Sequence, residues 1–163
     1  MTRSKPGRPR TLVIGTTSCA AALAVGALAL APTAAAVDPT TATLTAECGS
    51  YGAGAATLTA TQNGTSATIN LSSSAVKAPL DIPAGAVKST LTLTKNGSGT
   101  TTFTGNANPA IKTGDDVSTG PLNGTVAPGD RLEAKSLKLV VFGLITVNCT
   151  ATSAQSPGPF VFD

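Results

Sequence analysis

Apolar and polar residues alternate with a period of two along most of the chain beyond residue 41. That period belongs to strands with one buried face. Residues 42–48 predict a first strand, followed by a Gly-rich loop over residues 49–54. Ala56, Leu58 and Ala60 alternate with threonines. Asn63-Gly64 then punctuates the chain, and Ala67, Ile69 and Leu71 alternate again. Asn-Gly accepts positive φ at little cost, so this stretch predicts a tight hairpin with those apolar residues inward. A connection follows over residues 72–85, where Pro79 and Pro83 interrupt any ladder and Leu80 and Ile82 would anchor it. Val87, Leu91 and Leu93 mark one face of the next strand, Asn96-Gly97 turns it, and the residues around Phe103 return it. Residues 106–120 read as a long loop, with Val117 and Leu122 offering only a weak edge strand and Val126 a short one.

The densest apolar run of this part of the chain is residues 137–149. Its 13 residues exceed the ~5–6 of a typical strand, so it predicts a hairpin turning at Phe142-Gly143. Leu137, Leu139 and Val141 would face the core from one arm, and Ile145, Val147 and Cys149 from the other. Phe160 to Phe162 could add a last strand. No 3.6-residue periodicity persists. The expected architecture is an all-β, immunoglobulin-like antiparallel sandwich of about 7–9 short strands.

The N-terminus reads differently. Arg3, Lys5, Arg8 and Arg10 precede an uncharged apolar stretch over residues 12–31, and Pro32 is followed by small residues. This is the anatomy of a secretory signal peptide, with Ala34 and Ala36 at the −3 and −1 positions. The expected organisation is a leader over residues 1–36, a short tail over 37–41 and one sandwich domain over 42–163. Four of the 11 basic residues and none of the 8 acidic ones lie in the leader, so the mature net charge would be −1 rather than +3. The basic balance of the whole chain therefore gives no reason to expect nucleic-acid binding, or membrane binding after cleavage.

Composition sharpens the picture. The chain has no His or Trp, one Tyr and four Phe. Its core must come from Leu, Val, Ile and Ala, and Thr supplies 22 of the 127 residues after Ala36. Thr is β-branched and suits a half-exposed pleated surface. Cys48 and Cys149 are the two cysteines outside the leader, and an even number in an exported chain predicts one disulfide. The expected location is secreted, extracellular or associated with the cell wall.

Cys48 and the segment Leu144-Ile145-Thr146-Val147-Asn148-Cys149-Thr150-Ala151 resemble a group of exported actinobacterial domains of unknown function. In that group an early cysteine pairs with one on a late strand of an immunoglobulin-like sandwich. The resemblance covers residues 42–162, implies fold and secretion, and carries no catalytic residue across. In composition the chain is also similar to the apoproteins of enediyne chromoproteins, which hold a small molecule in a cleft, and to secreted subtilisin inhibitors. Both carry two disulfides where this chain has cysteines for one.

Candidate chemistry is sparse. Without His, neither a Ser-His-Asp nor a Cys-His site can form in its usual arrangement. A glycosidase pair would need two of Asp38, Glu47, Asp81, Asp115, Asp116, Asp130, Glu133 and Asp163 to converge, and most sit in turns. Asp115-Asp116 matches no Ca²⁺-loop spacing. Tyr51, beside glycines, is a loop residue that could stack on a ligand. Five Asn-x-Ser/Thr triplets, at Asn63, Asn70, Asn96, Asn123 and Asn148, follow from a composition rich in Asn and Thr. The expectation is a protein with no catalytic residues, no metal and no cofactor. It would act as a binding or adhesion module towards a cell-wall or other extracellular polymer. The alternative is a small-molecule carrier like the chromoprotein apoproteins.

Overall fold

A computed structural model describes residues 36–163. The signal-peptide reading and Ala34 lie outside the described residues. Among the described residues nine strands form: β1 (Thr41–Glu47), β2 (Ala53–Asn63), β3 (Ser66–Lys77), β4 (Val87–Lys95), β5 (Gly99–Gly105), β6 (Asp116–Thr125), β7 (Arg131–Val141), β8 (Ile145–Ala151) and β9 (Phe160–Val161). A 3₁₀ turn, Gly49–Tyr51, joins β1 to β2. No helix among the described residues is long and apolar enough to cross a membrane.

All pairings are antiparallel, and the strands run β4-β5-β6-β3-β2-β1-β8-β7, with β7 returning to β4. The ladder therefore closes into an eight-stranded barrel, where an immunoglobulin-like sandwich of two separate sheets was expected. The alternation of inward and outward residues is the same in both architectures. They differ only in whether the sheet edges meet, which is a property of pairs distant in sequence. The two meeting points are thin. β5 joins β6 through one pair, Thr104 with Asn123. β1 joins β8 through two, Ala46 with Ala151 and Glu47 with Thr150. Elsewhere the ladders are long, such as nine registered pairs between β4 and β7.

The Cys48–Cys149 disulfide crosses the β1–β8 seam and joins residues 101 apart in sequence. Beyond β8 the chain itself fills the same seam. Thr43 exchanges backbone hydrogen bonds with Ser156, and Asp38 with Val161, while β9 pairs with β7 at Arg131 and Leu132. Gln155 is buried there. Its Oε1 accepts from the Ala134 N–H, serving the stretch of β7 that neither β8 nor β9 reaches.

The expected hairpins form, with Gly64 at φ +59 in the first and Asn96 and Gly97 at φ +53 and +81 in the second. The strand expected to be a weak edge is instead β6, ten residues long and central, between β3 and β5. Gly120-Pro121 sits in its middle, at a register slip against Asn70 of β3. The bulge accommodates the missing proline N–H without breaking the strand. Gly124 lies under the ring of Phe103, which any Cβ there would meet at 2.5 Å.

The two ends of the barrel are built differently. Turns β2–β3, β4–β5 and β6–β7 share one end with the C-terminal segment. Phe160 and Phe162 close it, fully buried with Leu93 and Leu132, and Phe103 packs in the adjoining core. Loops β1–β2, β3–β4, β5–β6 and β7–β8 share the other end. Replacing both Cys48 and Cys149 by Ala should lower stability by about 4–5 kcal/mol, the chain-entropy value for a loop of this length. Chemical denaturation of residues 36–163 checks it. A loss below about 1 kcal/mol would mean that the backbone seam suffices alone.

Candidate functional site

The four-loop end holds a cavity of about 110 Å³, lined almost wholly by apolar side chains. Its wall comes from Leu44 of β1, Leu71 of β3, Leu91 of β4, Val117 of β6, and Leu137 and Val147 on β7 and β8, with the disulfide beside them. The period of two explains the lining: each of these residues is on the inward face of its strand.

A lid covers part of this end. The β3–β4 and β5–β6 loops are zipped together by paired backbone hydrogen bonds between Ile82 and Ile111, and by Ala78 with Asp115 and Gly114. Asp81 latches them: it accepts from the Thr113 N–H at 2.8 Å, the Thr113 hydroxyl at 3.0 Å and the Lys112 ammonium at 3.0 Å. These donors, the Thr113 N–H foremost, hold its carboxyl down at about 2. Beneath the lid, buried Asn108 accepts from the Val87 N–H and donates to the Pro83 and Pro109 carbonyls. Deeper still, Ser89 of β4 and Thr119 of β6 share a buried hydrogen bond of 2.5 Å across the barrel interior.

The rim is apolar where surfaces are usually polar. Tyr51, Leu80, Phe142, Leu144 and Ile145 are the exposed large hydrophobic residues among those described, and all five belong to this end. Tyr51, Leu80 and Ile145 line the cavity itself. Ile145 keeps the inward position expected of it, opposite Val141, and Leu80 lines the same cavity, but both are partly exposed because they stand at its mouth.

The other expected site residues disperse. Cys48 and Cys149 are bonded. Ala36 is exposed, while Val37 beside it is buried in the core. Asp115 accepts from the Lys112 N–H, and Asp116 pairs with Lys77 on the adjacent strand. Asp130 is at the closed end, buried against Lys95 at 2.7 Å. No group of three or more His, Cys, Asp or Glu residues among those described could hold a metal ion. The cavity was missed because its lining reads as ordinary core. The detectable signal was Phe142, Leu144 and Ile145 at a turn, where Asn, Gly or Asp are usual.

No family model, no curated protein and no solved structure matches this chain. The resemblance stated from Cys48 and residues 144–151 thus has those residues alone behind it.

Two carboxylates give a pH dependence. Burial pushes Asp130 upward, but the Lys95 ammonium and the Ala127 N–H outweigh it, and its pKa is lowered. Asp81 is lowered as well, from an ordinary value of 3.8. Both therefore favour the folded state above that ordinary value, and the stabilisation is lost as pH falls through the folded pKa. Urea midpoints should be flat from about pH 7 to 5 and fall below about 4, with the Asp81 share persisting towards pH 2. Asp130→Asn should cost roughly 1–3 kcal/mol at pH 7 and flatten the acid limb, and an unchanged limb would remove Asp130 from this role.

Proposed function

We propose that the protein is an exported, non-catalytic binding protein whose open barrel end takes an apolar group of a small molecule. The observation that carries this reading is the apolar cavity joined to an exposed apolar rim. Interiors are close-packed, so a void of this kind at one end, with the other end filled by phenylalanines, favours occupancy by something else. Cavities of about 150 Å³ lined by aliphatic side chains take a guest the size of benzene. A space of about 110 Å³ suits one ring or a short alkyl segment. The rest of a larger molecule would lie over Tyr51 and Leu80. The carrier alternative thus gains ground over adhesion as the primary role.

Adhesion retains one supporting observation. On the outer face of β1, β2 and β3, Thr43 registers with Thr57, Thr57 with Ser72, and Thr59 with Asn70. Of these, Thr57, Thr59, Asn70 and Ser72 line a shallow groove of about 220 Å³ together with Pro109 and Ser118. Such a groove would suit a hydroxyl-rich extracellular polymer.

A series of linear alcohols from propanol to decanol tests the first reading by calorimetry. Affinity should rise about fourfold per methylene until the cavity is full, then level off. Val117→Phe should fill the space and abolish that rise while leaving the thermal midpoint within a few degrees. Affinity that climbs steadily to decanol, or is unaffected by Val117→Phe, would remove the cavity as the site. Retention on insoluble glycans, lost on changing Thr57 and Thr59 to Asp, would instead support the groove.

A further inference from the structure

We propose that the turn between β7 and β8 is a docking element that seats the open end of the barrel on a lipid bilayer carrying anionic headgroups. Two turns among the described residues carry positive φ on both central residues. In the β4–β5 turn those residues are Asn96 and Gly97, at φ +53 and +81. In the β7–β8 turn they are Phe142 and Gly143, at φ +54 and +71. Asn tolerates that region because its short side chain bonds locally, whereas an aromatic side chain gains nothing there and is strained. Phe142 is also 45% exposed, and Leu144 beside it is 86% exposed. The chain therefore pays twice to present a phenylalanine where its own other turn uses asparagine. Strain and exposure at one tip mark a surface made for contact.

Charge selects the occupant. Lys88 on β4 registers with Val140, one step from the last pair before the tip, and Lys138 on β7 registers with Thr90. Both are exposed, and neither belongs to any of the three ion pairs among the described residues. The acids near this end are placed otherwise. Asp81 and Asp116 are engaged by Lys112 and Lys77. Asp115 accepts from the Lys112 N–H within the β5–β6 loop, and Glu47 lies on β1 opposite Thr150 of β8, about six residues or ~20 Å from the tip. At ~3.3 Å per residue, Lys88, level with Val140, stands about 7 Å from Phe142 and Lys138 about 13 Å from it. An amphipathic element buries its apolar part ~5–10 Å into the boundary between headgroups and acyl chains. Phe142 and Leu144 inserted to that depth put the Lys88 ammonium among the headgroups, and the long Lys138 stem brings the second ammonium to them. A second copy of this chain would bring the same free lysines face to face, so self-association fits less well. The near-neutral net charge of residues 37–163 conceals this local arrangement, which is why composition gave no expectation of membrane binding. Docking stands whether or not the cavity takes a ligand, and it turns the cavity mouth towards the hydrocarbon.

Residues 36–163 contain every strand and core residue of the barrel, so that segment is the one to test, its folding checked by circular dichroism. Co-sedimentation with vesicles of phosphatidylcholine, with and without 30% phosphatidylglycerol, gives the partition coefficients. Binding should be at least tenfold stronger with phosphatidylglycerol at low salt, since each lysine near an anionic surface adds about fivefold. It should weaken in about 0.5 M salt. The double variant F142N/L144S should lose at least tenfold on both vesicles while folding at least as stably, because Asn relieves the turn. The double variant K88E/K138E should lose only the preference for phosphatidylglycerol. Absence of partitioning, or partitioning unchanged by F142N/L144S, overturns the proposal. So does a dimer in analytical ultracentrifugation that F142N/L144S converts to monomer, which would assign the tip to a second copy.

Discussion

Everything in this barrel depends on how its last seam is held. Seven of the eight neighbour relations around the barrel could form without the eighth, and the result would be a curved sheet with two raw edges. Open strand edges invite pairing with other chains, and closure removes them. Here β1 and β8 meet at two residue pairs only. The disulfide fixes the seam at the open end, and the segment from Thr152 to Val161 fills it towards the closed end. The cavity wall includes the cysteines, so the element that completes the fold also completes the site.

The distribution of aromatic side chains follows from the same asymmetry. With four phenylalanines and no tryptophan, the chain has few large residues to spend on filling space. Phe103, Phe160 and Phe162 are fully buried, while the fourth sits at the tip of an exposed turn. The lumen at the open end is bounded by Leu, Val and Ala, which cannot reach across to one another. A cavity results there because residue volume is short, and its lining offers a water almost no hydrogen-bond partners.

Much of this was legible in the sequence, and the omissions have physical causes. Period-two alternation located β2, β3, β4, β7 and β8, and Asn-Gly located two turns. The cysteine count gave the disulfide. β6 was hidden because Gly120-Pro121 and Asn123-Gly124 are punctuation in most contexts. Here the first is a bulge and the second makes room for an aromatic ring. Barrel closure was invisible because it rests on Thr104 with Asn123 and on Ala46 with Ala151, pairs that no local pattern announces. The site was invisible for a related reason: Leu71, Val117 and Val147 have the spacing of core residues, and only the loops' failure to cover them makes a cavity.

The strap that runs from Thr152 to Phe162 also governs when the molecule can exist. Val37 and Phe162 are both core residues, and Asp38 bonds Val161 across more than a hundred positions of sequence. Native contacts so remote in the chain are slow to form, because the intervening segment must surrender its entropy first. A ribosome-bound fragment lacking the strap would expose the half-filled closed end and leave the seam open. Closure of the barrel thus waits until nearly the whole described chain is present. Topology by itself makes closure the last event, because the two segments that complete the barrel come from opposite ends of the described residues.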